Sequence, residues 1–212
     1  MNSSIQISAR DVLLIVDVQN DFCPGGALAV PQGDEVVPVV NRLAARFSNV
    51  ILTQDWHPAG HLSFASTHPG KKPFERIRLN HDEQILWPDH CVQDTHGAAF
   101  HKALHAPHAQ LILRKGFRPD IDSYSAFREN DRTTRTGLAA CLVERGFERV
   151  FLAGLAYEYC VRVSAVDAVS SGFRALVIED ACRGFGRDGA FEETRREFAR
   201  TGVVHLKSAD FF

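Results

Sequence analysis

A chain of 212 residues with a formal net charge of −2 suits a single domain over residues 1–212 with a well-filled core, although the length also accommodates two. Charges of both signs are interspersed, so no basic face invites nucleic acid, and no apolar run approaches membrane-spanning length. Five cysteines form an odd, scattered set, and the leading MNSSIQISARD lacks the basic-then-apolar signature of a secretory leader; both suggest a reduced, cytoplasmic protein.

Val12 to Val16 is an unbroken apolar run, as expected of a strand buried on both faces. It ends at Asp17, and a carboxylate at the end of a buried strand is costly unless paired or used. Asp34 can cap a helix whose apolar face is Val36, Val40, Leu43, Ala44 and Phe47, with Pro38 tolerated in its first turn. Val50 to Thr53 reads as a second buried strand running into Gln54-Asp55-Trp56-His57-Pro58. From about 54 to 109 the chain is rich in His, Pro and Gly and poor in periodicity, and a loop region that long inside a compact domain is usually functional. Ten histidines is a high count, and several fall between His57 and His108, which raises the question of a metal. Alone, they read equally well as residues that cap or cross-link a long loop.

A third strand, Leu111 to Leu113, ends in Arg114-Lys115-Gly116. A helix is predicted from about Thr133, burying Leu138, Cys141 and Leu142 and stopping at Gly146. The fourth strand, Val150 to Ala153, passes through Gly154 with no polar loop into a helix that carries Cys160 in its first turn. Val161, Ala165, Ala168 and Val169 give that helix its inward face. A cysteine placed there sits in a positive field favouring thiolate over thiol. It equally suits a buried structural cysteine. Ala175 to Ile178 is a fifth strand; Asp188 caps a last helix ending near Gly202; Val203 to Leu206 is a sixth strand.

Short strands alternating with helices imply a parallel sheet covered on both sides, with ligands outside the carboxyl ends of its strands. Four such ends bring Asp17, Asp55, Lys115 and the Cys160 turn to one edge. Two carboxylates, an amine and a thiol gathered there favour chemistry over packing.

The stretches LLIVDVQNDFCPGGAL (13–28), TQDWHP (53–58), WPDHCVQDTHGAAFH (87–101), RKG (114–116), YSAF (124–127) and FLAGLAYEYCV (151–161) together resemble the isochorismatase-like cysteine hydrolase family, and within it the nicotinamidases. The resemblance implies a three-layer αβα fold around a six-stranded, mostly parallel sheet. It implies Cys160 as nucleophile, Asp17 as general base and acid, and Lys115 as the amine completing the triad. Asp55, His57 and His90 match the ligands of one divalent metal ion. This oxygen and nitrogen set suits zinc, iron(II) or manganese alike, and His61 and Ser63 lie close enough to join it. The N–H groups of Ala156 and Cys160 match an oxyanion hole beside a cis Leu155–Ala156 peptide, and Phe22, Trp87 and Tyr124 match aromatic positions lining the pocket, although buried Phe and Trp are more often plain core.

The implied activity is hydrolysis of nicotinamide to nicotinate and ammonia through a thioester, in NAD salvage, with pyrazinamide as a further substrate. The alternative is another amidase of the family, acting on carbamoyl or ureido substrates; such relatives usually lack the Asp-x-His…His set. A binding protein that has lost catalysis is a third reading, against which intact Asp17, Lys115 and Cys160 argue. The expected partner is a small-molecule substrate, with neither nucleic acid nor membrane, and a homo-oligomer is compatible with the sequence. At residues 156–160 the chain reads Ala-Tyr-Glu-Tyr-Cys where relatives commonly have Ala-Thr-Asp-Tyr-Cys. Tyr157 is bulkier and Glu158 longer, which bears on pocket size and substrate preference. His68, His81, His96, His101, His105, His108 and His205 are expected at the surface or in loops, and Cys23, Cys91, Cys141 and Cys182 in packing roles.

Overall fold

The strands, in chain order, are β1 (Asp11–Val16), β2 (Val50–Asp55), β3 (Arg76–Arg78), β4 (Glu83–Ile85), β5 (Leu111–Lys115), β6 (Arg149–Gly154), β7 (Arg174–Cys182) and β8 (Val204–Leu206). The helices are α1 (Val36–Ala44), α2 (Leu138–Glu144), α3 (Arg162–Ser170) and α4 (Ala190–Thr201). This computed structural model describes residues 5–79 and 83–212, so His81 lies outside the described residues. Six strands form one sheet in the order β5-β2-β1-β6-β7-β8. Every neighbouring pair in it is parallel, which sharpens the expected "mostly parallel".

Alternation along the strands explains the layers. Leu13 and Ile15 share one core with Val36, Val40 and Leu43 of α1. Val12, Leu14 and Val16 face the other way, into a core with Leu138 of α2, Ala165 of α3 and Phe198 of α4. Successive strand side chains point to opposite faces, so an unbroken apolar run is what a sheet covered on both sides requires. Gly154 is demanded by the close approach of β6 to β1: its φ is +123°, and a Cβ there would lie 2.1 Å from Val16 O.

Some local expectations give way to tertiary structure. Asp34 does not cap α1; it lies in a 3-10 turn, and no side chain caps that helix. Asp188 does not cap α4 either, because Gly189 holds that position and Asp188 itself has φ +51°. The helix expected from Thr133 starts at Leu138, after Gly137 (φ +92°), and Cys141 is only half-buried. The long loop contains a short antiparallel hairpin of β3 and β4, too brief to leave a periodic signature.

Candidate active site

The strand order β5-β2-β1-β6 fixes the sequence in which strand ends line up: Lys115, Asp55, Asp17, then the turn carrying Cys160. The chain reverses its direction of sheet-building between β1 and β6, and such switch points open a crevice at the carboxyl ends of parallel strands. Asp55 and Lys115 are register partners. Asp17 follows β1 with φ +48°, a backbone state that Asp tolerates better than most residues. Cys160 sits in a π-helical turn, Tyr157–Val161, rather than in the α-helix expected; α3 begins only at Arg162.

Lys115 Nζ occupies the centre of the site and is fully buried. It lies 2.8 Å from Asp17 Oδ2 and 2.5 Å from Asp55 Oδ1, and donates to Ser123 O at 3.1 Å and to Cys160 Sγ at 3.4 Å. Carboxylate oxygens of Asp17 and Asp55 and the Cys160 sulfur fall within 4.8 Å of one another. The Thr53 hydroxyl donates to Asp17 Oδ1 at 2.6 Å and accepts from the Asp17 N–H at 3.1 Å. Asp17 Oδ2 has no hydrogen bond of its own beyond the Lys115 ion pair.

Electrostatics separate the two carboxylates. Burial opposes ionisation of both, but Lys115 and His57 outweigh it at Asp55 and hold that carboxyl well below its ordinary range. At Asp17 burial wins, helped by the nearby Asp55 charge, and the carboxyl is raised despite Lys115. Two neighbouring acids pushed in opposite directions suit a division of labour, one held firmly ionised and one better able to accept a proton and give it back. Burial, with the Asp17 and Asp55 charges, also pushes the Cys160 thiol well up, and Lys115 offsets only part of this. These neighbours act against the preference for thiolate that the helix position alone would give.

Asp55 links this cluster to a second one. Its Oδ2 lies 3.6 Å from His57 Nε2 and 3.9 Å from His90 Nε2. His57 Nδ1–H donates to Gly116 O and His90 Nδ1–H to Pro88 O, each at 2.8 Å. Because a carbonyl can only accept, Nδ1 carries a proton on both rings, and Nε2, turned towards Asp55, is the atom that offers a lone pair when the ring is neutral, which is how metal-binding histidines are oriented. Burial and the neighbouring His57 lower His90 to about 4, leaving it neutral and able to ligate. The buried donor set Asp55, His57 and His90 thus fits a divalent metal. His61 is engaged otherwise: its Nε2–H donates to Ile121 O, and its Nδ1 accepts from the Ser63 hydroxyl at 2.7 Å.

The peptide before Ala156 is cis, as the resemblance implied. Hydrogen bonds closing the turn run from Tyr159 and Val161 to Ala156 O and from Tyr157 to Arg183 O, and the Ala156 N–H takes part in none of them. A cleft joins the two clusters, lined by Phe22, Trp87, His90, Tyr124, Ala156 and Cys160. All three expected aromatic residues are therefore present. Trp87 donates to Tyr124 Oη at 3.2 Å, which fixes both rings. Leu28, Asp122, Tyr159 and Phe185 also line the cleft and escaped sequence analysis, as did Thr53 and Gln19. Gln19 clamps the end of β2, accepting from Asp55 N–H and donating to Asp55 O, both at 2.8 Å. Thr53 was readable as a same-face neighbour of Asp55 within β2; Gln19, beyond the left-handed turn at Asp17, and Phe185 carried no such signal.

An isochorismatase domain model matches residues 11–206. The chain belongs to the isochorismatase family. It is 49% identical over 196 residues to the nicotinamidase of Acinetobacter baylyi, covering 92% of each chain. Its fold matches that of an Acinetobacter baumannii nicotinamidase/pyrazinamidase with a TM-score of 0.96 at 52% identity, over 98% of this chain and 100% of that one. A Pyrococcus horikoshii pyrazinamidase solved in complex with zinc aligns with a TM-score of 0.77 at 35% identity, over 93% of this chain and 99% of that one. Among the described residues no helix is long and apolar enough to cross a membrane.

Proposed function

We propose that this chain hydrolyses nicotinamide to nicotinate and ammonia, a step of NAD salvage, and acts on pyrazinamide as well. The observation that carries the reading is the bridging role of Asp55, whose two oxygens join the Lys115–Asp17–Cys160 cluster to the His57–His90 pair. That bridge supports a reading in which the thiol attacks an amide whose ring nitrogen is held at the neighbouring histidine pair.

In the reaction, Asp17 accepts the Cys160 proton as sulfur attacks the amide carbonyl, and Lys115, 3.4 Å from the sulfur, stabilises the negative charge formed there. The N–H groups of Ala156 and Cys160 hold the developing oxyanion. Asp17 returns the proton to the departing ammonia, leaving a thioester, and then takes a proton from the water that hydrolyses it. Its raised pKa suits an acid that must give its proton back. Asp55, His57 and His90 would hold one divalent metal ion, with zinc, iron(II) and manganese all suited to the donor set. When bound, such an ion would supply an electrophilic anchor for the pyridine nitrogen and so orient the substrate. Phe22, Trp87 and Tyr124 wall the flat ring.

The test is ammonia release from nicotinamide by metal-loaded protein beside Cys160→Ala. The wild type should turn over and the variant should not; an inactive wild type, or equal release by both, overturns the reading.

A further inference from the structure

We propose that Glu158 is a positioning residue that sets how tightly the cleft grips a flat aromatic amide, acting through Phe185. The proposal rests on the nicotinamide reading above. Glu158 lies two residues before Cys160 and is buried, yet it takes no part in the Lys115 cluster. Its Oε1 accepts hydrogen bonds from the N–H groups of Phe185 at 2.8 Å and Gly186 at 2.9 Å. Tyr157 N–H adds a third tie, to Arg183 O at 2.8 Å. The turn before the nucleophile thus holds residues 183–186 in place.

Phe185 is what that segment delivers to the cleft. Its ring is nearly parallel to Trp87, at 22° with centroids 6.5 Å apart, and packs edge-on to Tyr159 at 6.0 Å. Gly184 lets the carboxylate seat against the backbone, since a Cβ there would lie 2.0 Å from Glu158 Oε2. Oε2 itself is buried without a hydrogen-bond partner. An orphan buried oxygen costs stability, so a residue kept despite that cost is better explained by what it positions. The extra methylene that distinguishes Glu158 from an aspartate is what reaches both amides; a shorter acid would do so only if residues 184–186 moved.

Steady-state kinetics on nicotinamide, with metal-loaded full-length protein, test this in wild type, Glu158→Met, Gly184→Ala, Phe185→Ala and the Glu158→Met/Phe185→Ala double variant. Glu158→Met, which removes the acceptor at similar length, should raise KM about fivefold, the size of one lost aromatic contact, with kcat within about twofold. Gly184→Ala should do the same by displacing the carboxylate, and it carries the test if Glu158→Met does not fold. Phe185→Ala should raise KM at least as much, and adding Glu158→Met to it should change nothing further. Wild-type activity with KM effects that multiply, or a fall in kcat at constant KM, overturns the proposal alone. A wild type that releases no ammonia from nicotinamide overturns the substrate reading and this proposal with it.

Discussion

Replacing Lys115 with Met removes a cation in contact with both buried acids. Its nitrogen lies 2.8 Å from Asp17 and 2.5 Å from Asp55. At an effective dielectric constant of about 20, each contact is worth roughly 6 kcal/mol of Coulomb attraction. Much of that is offset by the desolvation of three charges, so the measurable loss should match other buried pairs broken from one side, about 3–5 kcal/mol. Urea unfolding of the metal-free protein measures it. The reasoning makes a sharper demand on the double variant Lys115→Met/Asp17→Asn. Removing the second partner takes away one of the two stranded charges, and it should recover about 1–2 kcal/mol relative to Lys115→Met. Activity should not return with it, because the proton carrier is gone; ammonia release from both variants should fall at least about a hundredfold. A double variant less stable than the single one, or a Lys115→Met protein within about 1 kcal/mol of wild type, would refute the view that Lys115 is held as the counter-ion of a buried pair.

Three further outcomes can be checked directly. Asp55→Ala should lose bound metal and chiefly raise KM, with metal content read by elemental analysis; unaltered content removes Asp55 from the ligand set. Gly116→Ala should weaken metal retention roughly tenfold in competition with a chelator, because the new Cβ would lie 2.5 Å from His57 Cε1 at a φ of +64°; retention equal to wild type would mean the ring can yield without cost. At Asp11, burial alone would raise the carboxyl, but hydrogen bonds from Arg149 and Ser8 outweigh it and hold it below its ordinary value. A depressed folded value contributes stability that is present above the unfolded carboxylate range and is lost as pH falls through the folded value. Asp11→Asn should therefore cost about 1–3 kcal/mol at neutral pH and flatten the loss of stability below about pH 4; an unchanged acid limb in urea midpoints would contradict this.

The elements that needed only local information were legible before the fold was seen. Apolar runs long enough to be buried on both faces marked β1, β2 and β6, because a residue facing either core must be apolar whichever way it points. The exposed edge strand β5 was read short: Ile112 faces solvent, and Arg114 and Lys115 broke the apolar pattern although both belong to the strand. The two failed caps have one cause. Asp34 and Asp188 are sound capping residues in isolation, but each is drawn into a 3-10 turn, and at α4 Gly189 takes the capping position.

The sequence by itself determined which chemical groups arrive at the sheet edge, since Asp17, Asp55 and Lys115 end or follow apolar strands and Cys160 follows the β6 turn. It also determined, through the Asp-x-His spacing, that Asp55 and His57 leave the strand on one side. Only the tertiary structure decided how those groups are wired. That Asp55 shares its oxygens between Lys115 and the histidines depends on the register of β2 against β5, and no local pattern encodes a register between strands nearly sixty residues apart. The electrostatic setting of Cys160 depended on the fold for the same reason. Its place in a helical turn argued for a field favouring thiolate, whereas burial beside two carboxylates from other strands pushes the thiol upward. Glu158 shows the same division. The sequence marked it as an unfamiliar residue in the nucleophile turn, and its reach to Phe185 and Gly186 exists only because β7 lies beside β6 and returns the chain to that turn.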